Sequence, residues 1–185
     1  MNHLATSKED ILAASRDLIK ENGWAAVSIR AVASRCSVSA GTIYNYYESK
    51  ADLLSDTIES IWHEIFFHPE DEQVFHDVES CISWIYERLE YGNRQFPGFF
   101  SLHSFGFMRD EKTSGKKRMM KTWGHILNGL CEVLENDPKV RADVFDQEFT
   151  EKKFADILFS LILVSMIRQD YDPSSILMLI NKTLY

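Results

Sequence analysis

Residues 38–50 of the chain read VSAGTIYNYYESK. The hydroxyl of Ser39 suits the N-cap of a short helix, which we predict over residues 40–47. Ile43 and Tyr47 are four residues apart in that helix, so they share the side that we predict packs inward. The other side is small at its start and polar further along, and it carries Ala40, Gly41, Tyr44 and Asn45.

A second short helix precedes this one, with Ser28 suited to cap it and Cys36 near its end. Two helices of about eight residues joined by a turn of three or four residues form a helix-turn-helix. A first helix is predicted from a capping box with Thr6 as N-cap and Glu9 three residues on. It ends at Asn22-Gly23, where Gly23 suits the left-handed conformation.

The charge distribution is uneven. The chain has 20 Lys and Arg against 28 Asp and Glu, a net charge of −8, which excludes a protein that coats DNA by bulk charge. Residues 22–47 nevertheless contain no carboxylate. A surface that approaches phosphates should exclude carboxylates, because the repulsion acts within about 8–10 Å. Chance in a short segment of small residues is the alternative explanation.

Gly41 is an unusual choice inside a helix, because glycine there costs about 1 kcal/mol relative to alanine. A small residue in the first turn is expected where another molecule approaches the backbone closely, as DNA does in the major groove. A tight crossing with another helix of the same chain is the alternative.

Several segments together resemble the DNA-binding module of the tetracycline-repressor (TetR) family, over about residues 8–55. They are Gly23–Arg30, Val32-Ala33, the run Val38–Tyr47, Lys50 and Leu53-Leu54. The chain departs from the family at Cys36-Ser37, where Ala-Gly is usual, at Tyr47, where Phe is usual, and at Ala51, where an acidic residue is usual. Ser37 is then expected to adopt the conformation of the turn without the freedom of glycine.

The resemblance implies a role for each matching position. Phosphates would be bound by Ser28, Arg30, Tyr44, Tyr46 and Lys50, the DNA backbone touched by Ser39 and Thr42, and base edges faced by Ala40, Gly41 and Asn45. The chemistry agrees in part, because Asn pairs with adenine and an Ala methyl meets the thymine methyl. Core packing is the alternative for Tyr44, and for Tyr47 it is the preferred interpretation because Tyr47 aligns with Ile43.

The rest of the chain is also predicted to be helical. Ser49 and Asp52 form a capping box that opens a fourth helix, and Asp172-Pro173 is a strong helix start. We therefore predict an all-α protein of about nine helices, with a helix-turn-helix domain over 1–49 and a helical ligand-binding and dimerisation domain over 50–185. The predicted helices of the second domain span 50–67, 71–92, 98–109, 115–136, 147–169 and 173–184.

The last two helices are apolar beyond a single stripe, so each must be covered on a second side. A partner subunit can supply that cover, and the resemblance implies a homodimer joined through a four-helix bundle. The alternative is that both helices are internal. The predicted interface consists of Phe154, Ile157, Leu158, Leu161, Ile162, Ile176, Leu177 and Ile180.

The middle of the chain is rich in aromatic residues. Large rings with few polar groups suit a pocket for an apolar or aromatic small molecule, and they equally suit a plain core. The resemblance favours a pocket without identifying its ligand. The candidate residues are Trp62, Phe66, Trp84, Phe100, His103, Phe107 and Trp123.

The sequence gives little support to an enzyme, a metalloprotein or a membrane protein. No nucleophile and base stand at a usable spacing, so we do not expect an enzyme. The six histidines form no metal-binding motif, with the pair His63 and His68 better read as surface residues, and we expect neither metal nor cofactor. Three distant cysteines fit a reducing compartment, and the longest apolar run, near 154–167, is too short to span a membrane. We therefore expect a cytoplasmic protein, at the nucleoid when bound to DNA.

The function that these observations favour is a ligand-responsive transcriptional repressor that binds a palindromic operator as a homodimer. The alternative is a DNA-binding adaptor that is controlled by a protein partner and not by a small molecule. A small helical enzyme with an accidental helix-turn-helix is a third possibility, for which the sequence offers no catalytic residues.

Overall fold

The computed structural model describes residues 6–66, 75–100 and 114–185, with side chains of the last range from residue 123 onward. All regular structure within these ranges is helical, which confirms the all-α prediction. A 3₁₀ turn, Trp24–Ala26, follows the first helix. The α-helices are α1 Lys8–Asn22, α2 Ile29–Arg35, α3 Ala40–Tyr44, α4 Lys50–Phe66, α5 Val78–Gln95, α6 Ser114–Asn136, α7 Glu151–Arg168 and α8 Ser174–Leu184.

The chain forms two compact units. The first unit comprises Met1–His68 with Arg94–Pro97, and the second comprises Pro69–Asn93 with Gly98–Tyr185. The first unit includes α4 because this helix packs against α1. The domain boundary predicted at residue 49 marks where the DNA-contacting module would end. The two units are defined by compactness and not by DNA contact, so this boundary stays a prediction.

Short polar side chains start the helices of the first unit. The predicted cap of α1 was one residue too early: the N-cap is Ser7, whose hydroxyl accepts from the Asp10 amide at 3.1 Å, and not Thr6. Thr6 is buried instead, because its carbonyl accepts a hydrogen bond from Tyr46. The caps at Ser28, Ser39 and Ser49 are confirmed, each hydroxyl accepting from the amide three residues on.

The core of the first unit is built from one apolar face of each helix. Its fully buried residues include Ile11 and Ile19 of α1, Val32 of α2 and Ile61 of α4. Full burial of such a side chain stabilises a fold by about 1.5–3 kcal/mol. These short helices depend on that packing, because helices below about 12–15 residues are marginal on their own.

The second unit contains α6 to α8 and most of α5. A buried carboxylate, Asp137, organises the loop after α6: it accepts hydrogen bonds from the Val78 amide at 2.9 Å and from the Tyr185 hydroxyl at 2.5 Å. Burial, together with the bond to Asp137, raises the pKa of Tyr185. Asp77 at the start of α5 binds Ser80 and Lys139, and the hydrogen bonds from Ser80 lower the pKa of Asp77 to about 2.

Several predicted helix ends differ from the observed ones. The helix predicted over 147–169 is α7, which starts at Glu151 because the Thr150 hydroxyl caps it. Asp172 does accept from the Ser174 amide at 2.9 Å, so the predicted start of α8 was displaced by one residue. The helix predicted over 71–92 is α5, Val78–Gln95. Most of the helix predicted over 98–109 lies outside the described residues.

Two turns of the first unit use positive φ angles. Gly23, after α1, has φ 75° and ψ 179°, so its positive φ agrees with the prediction but its ψ is extended and not left-handed. Ser37, between α2 and α3, has φ 56°. A non-glycine residue in the left-handed region costs about 1–2 kcal/mol, so the sequence expectation for Ser37 is confirmed.

We predict that Ser37→Gly raises the free energy of unfolding by about 0.5–1 kcal/mol, because glycine adopts this conformation without the steric cost but has more freedom to lose on folding. Ser34→Gly is the matched control, since Ser34 lies in α2 and glycine there should lower stability by a similar amount. Urea unfolding measures both variants. Equal losses of stability would show that the turn does not strain Ser37.

Candidate nucleic-acid interface

Two short helices joined by a four-residue turn form the candidate interface. They are α2 and α3, with residues 36–39 between them. The second helix is shorter than the predicted 40–47. Both the Tyr46 and the Tyr47 amides donate to the Ile43 carbonyl at 3.0 Å, which tightens the chain into a turn after Tyr44. Tyr47 nevertheless lies on the buried side, where its side chain is 4% exposed. The predicted inward packing of Tyr47 and Ile43 is therefore confirmed.

The outer side of α3 faces solvent. Tyr44 is 55% exposed, which excludes core packing for this residue. Gly41 and Asn45 are exposed as well, whereas Ala40 and Thr42 are half-buried. Five predicted DNA-contacting residues therefore lie along one short, exposed surface.

The surroundings of Gly41 decide between its two interpretations. A Cβ atom added at Gly41 would meet only the Ser39 hydroxyl, at an ordinary 3.5 Å. No helix of the described part of the chain crosses there, so the close-crossing interpretation is wrong for this chain in isolation. The space next to the backbone of Gly41 is open.

Arg30 in α2 and Lys50 at the start of α4 are the two cations predicted to bind phosphates. Arg30 and Lys50 are exposed, and neither makes an ion pair among the residues that the structure describes. Arg35 differs, because its guanidinium binds Glu21 at 2.5 and 2.7 Å and this hydrogen bond lowers the pKa of Glu21. Ser28 is half-buried at the start of α2, next to Arg30. Residues 22–47, which include Arg30, contain no carboxylate, whereas Glu48 and Asp52 stand on either side of Lys50 in the sequence.

Tyr46 has a structural partner that sequence reasoning did not reveal. Its hydroxyl donates to the Thr6 carbonyl at 2.6 Å in a part-buried bond. A phenol has one hydrogen to donate, so Tyr46 binds a phosphate as a donor only if it releases Thr6. No signal in the sequence links residues 40 positions apart.

The described candidate pocket residues are divided between the two units. Trp62 and Phe66 belong to the first unit, where their rings stack at 5.4 Å. The other three described members lie in the second unit and contact different rings: Trp84 meets Phe75 at 5.3 Å, Phe100 meets Phe99 at 5.2 Å and Trp123 meets Phe159 at 5.7 Å. His103 and Phe107 lie outside the described residues, as do the side chains of the basic run 112–121.

The predicted dimer residues divide into two sets. Five of them are 0–4% exposed and form the core of their own unit, namely Phe154, Leu158, Ile162, Ile176 and Ile180. For these five, an exposed interface is the wrong assignment, because α7 and α8 each turn their most regular apolar stripe inward. Ile157 is 44% and Leu161 36% exposed, and Leu177 is half-buried.

Four further exposed apolar residues extend this second face: Val164, Ile167, Met178 and Leu179. Ile157, Leu161 and Val164 follow the spacing i, i+4, i+7, so the signal was present in the sequence. The predicted interface included Ile157 and Leu161 but did not separate them from the buried residues, because a helix that is apolar on two sides does not reveal which side faces its own core.

Within residues 6–66, 75–100 and 114–185, no group of three His, Cys, Asp or Glu residues is arranged to hold a metal ion. None of the described helices combines the length and apolarity that crossing a membrane requires.

We predict that Tyr46→Phe lowers the free energy of unfolding by about 1 kcal/mol, because it removes a part-buried hydrogen bond. Tyr44→Phe is the matched control and should leave stability unchanged, since the Tyr44 side chain is exposed. Thermal unfolding followed by circular dichroism measures both. Equal stability of the two variants would contradict a structural role for the Tyr46 hydroxyl.

The chain was compared with known proteins. Residues 11–57 match the model of the bacterial regulatory proteins of the tetR family. The regulator UidR of Escherichia coli K12 is 38% identical over 48 residues, which are 26% of this chain and 24% of UidR. The chain thus covers about a quarter of that relative.

Solved structures extend the likeness of fold to nearly the whole chain. The regulator FadR of Bacillus subtilis, in complex with stearoyl-CoA, has a TM-score of 0.66 at 18% identity, over 97% of this chain and 100% of FadR. A TetR regulator of Haloarcula marismortui has a TM-score of 0.67 at 18% identity, over 96% and 98%. At such identities only the fold is shared, and the assignment rests on residues 11–57. The N-terminal module, residues 11–57, is therefore similar to that of the tetR family of bacterial regulatory proteins.

Proposed function

We propose that this protein is a ligand-responsive transcriptional repressor that acts in the cytoplasm and binds a palindromic operator as a homodimer. The observation that carries the proposal is the exposed surface of α3, where Gly41, Tyr44 and Asn45 face solvent in a segment without carboxylates. Nothing in the fold of the first unit requires Tyr44 to be aromatic, because it is 55% exposed.

In this proposal, phosphates position the module. Arg30 in α2 and Lys50 at the start of α4 supply charge, and Ser28 and Tyr44 supply hydroxyl donors. Ser39 and Thr42 touch the DNA backbone at the start of α3. Tyr46 joins them only if its hydroxyl exchanges Thr6 for a phosphate.

In the same proposal, base edges are read by the start of α3, where the side chains are small. The open space at Gly41 lets the backbone approach the major groove, and the Ala40 methyl is suited to a thymine methyl. Asn45 is exposed and can offer the donor and acceptor that adenine requires. A good contact of that kind contributes about 1–3 kcal/mol of discrimination between bases.

Dimerisation uses the second apolar face of α7 and α8. Ile157, Leu161, Val164 and Ile167 are 36–44% exposed, and Met178 is 59% exposed. Water contact with so many large apolar groups is unfavourable, so a second copy of this face is the expected cover. Two modules are also needed for useful affinity, since one helix-turn-helix makes few contacts.

The effector would be an apolar or aromatic small molecule. Support comes from the ring contacts of the second unit, where Phe99, Phe100 and Tyr171 meet within 5.2–6.3 Å. FadR, which has a similar fold, was solved with stearoyl-CoA, so this architecture accommodates a long apolar ligand. Binding would favour a spacing of the two α3 helices that mismatches successive major grooves.

We predict that Lys50→Ala weakens binding to specific and random DNA alike, and that it reduces the slope of log K against log salt by about 0.9 per subunit. The DNA fragment comes from a selection among genomic fragments. Lys152→Ala is the control, because Lys152 is an exposed lysine of α7 in the second unit and should leave the slope unchanged. An unaltered slope for Lys50→Ala would refute the phosphate contact.

We predict that Leu161→Glu gives a folded monomer with weak operator binding, because Leu161 is exposed within its own chain. Ile180→Glu should instead unfold the second unit, since Ile180 is fully buried. Sedimentation together with circular dichroism separates the two outcomes. A Leu161→Glu dimer of wild-type affinity would exclude this face from the interface.

A further inference from the structure

The dipeptide Asn-Gly occurs twice in the chain, as Asn22-Gly23 and as Asn128-Gly129. Glycine has no side chain, so the backbone nitrogen of a glycine that follows an asparagine is the least hindered one for a reaction with that asparagine. In both pairs the asparagine is exposed and the glycine is half-buried. A Cβ atom added at either glycine would meet nothing within 4 Å. Composition and solvent access are therefore alike at the two sites.

The two pairs differ in their position within a helix. Asn22 is the last residue of α1, and Gly23 follows it with φ 75°. The Gly23 amide donates to the Ile19 carbonyl at 2.9 Å in the last turn of the helix. Gly129 lies inside α6, which continues for about two more turns to Asn136. Helix ends open locally at little cost in free energy, whereas the interior of a helix opens only together with the structure around it.

We propose that Asn22 is a site of spontaneous deamidation and that this modification weakens DNA binding, the second part of which rests on the proposed function. When the end of α1 opens, the Gly23 nitrogen attacks the side-chain carbonyl carbon of Asn22. A new C–N bond closes a succinimide ring, the C–N bond of the side-chain amide breaks, and the amide nitrogen leaves as ammonia with the proton from Gly23. Water then opens the ring at one of its two carbonyl carbons. One opening gives aspartate, and the other gives isoaspartate, in which the main chain is one atom longer.

The new carboxylate stands at the edge of the acid-free segment of the first unit. Residues 22–47 contain no carboxylate in the unmodified chain. At the C-terminal end of α1 the helix dipole disfavours negative charge. Glu21 already binds Arg35 at this end, and Asp17 lies 3.8 Å from the same guanidinium. A third carboxylate at this end of α1 therefore adds repulsion between like charges.

The isoaspartate product also changes the path of the chain toward α2. Residues 23–27 alone separate Asn22 from Ser28, which is the N-cap of α2. This link is fixed in the fold, because Val27 is fully buried and its amide donates to the Trp24 carbonyl at 3.3 Å. A main chain that is one atom longer must displace part of the link. Ser28 is a phosphate donor of the proposed interface, so the displacement reaches the surface that would contact DNA.

The covalent site is tested by ageing the whole chain at mildly alkaline pH, because the attack needs a deprotonated amide nitrogen and its rate rises with pH. Tryptic peptides covering residues 21–30 and 122–139 contain the two asparagines, and mass spectrometry measures the conversion of amide to acid in each. We expect Asn22 to convert about tenfold faster than Asn128. In urea, where both helices are unfolded, the difference should disappear, because only the fold protects Asn128.

The effect on DNA binding is tested with Asn22→Gln, which keeps the amide but has to close a larger ring that forms more slowly. Asn128→Gln is the matched control. Each protein is measured fresh and aged with a DNA fragment recovered by selection. Aged wild type and aged Asn128→Gln should lose affinity in proportion to conversion at Asn22, whereas aged Asn22→Gln should keep the affinity of the fresh protein. Fresh Asn22→Asp should show the part of the loss that the charge causes.

Absence of conversion at Asn22, equal conversion of Asn22 and Asn128 in the folded chain, or a difference that persists in urea would overturn the covalent site. A wild type that is converted at Asn22 and still binds DNA like the fresh protein would overturn the effect on binding. So would an equal loss of affinity in aged Asn22→Gln. A fresh wild type that binds no DNA would refute the proposed function, and the peptide map would still decide whether Asn22 is the modified site.

Discussion

The burial of Ile43 and Tyr47 is the interaction on which the candidate interface depends. A helix of five residues has no stability of its own, because forming the first turn fixes several residues for one hydrogen bond. Ile43 is fully buried and Tyr47 is 4% exposed, so α3 is held in one rotation about its axis. The helical repeat then leaves Gly41, Tyr44 and Asn45 outside. The outer residues therefore owe their position to the inner ones.

Ion pairs around α1 also help to position the helices of the first unit. The pairs of Glu64 with Arg16 and Lys20 are partly buried, since these side chains are 16–31% exposed. Their importance here is geometric, since Glu64 holds both Arg16 and Lys20 and thereby fixes α4 along α1.

In the second unit, α7 and α8 carry both buried and exposed apolar residues. Leu158 and Ile162 complete the core of the chain, whereas Ile157 and Leu161 on the adjacent face remain exposed. The homodimer proposed above would cover the exposed face, and its interface would then extend the core of the unit across a subunit boundary.

The amino-acid sequence by itself determined the helical class, the start of each short helix and the inward residues of α3. These properties depend on local chemistry: Ser28, Ser39 and Ser49 cap their helices through amides three residues away, and Ile43 and Tyr47 are one helical turn apart. Ser37 also belongs here, because it stands where the resembled family usually has glycine, and its φ is positive.

The tertiary structure alone decided which partner each side chain meets across the chain. Tyr46 was assigned to phosphate by its position, but its hydroxyl reaches Thr6 once α1 packs beside it. The sequence does not distinguish the two apolar faces of α7, whereas in the structure Leu158 is buried and Leu161 is exposed. Phe96 looked like one aromatic residue among many until the fold brought it to Lys20. Such contacts join residues far apart in the chain, and local periodicity contains no information about them.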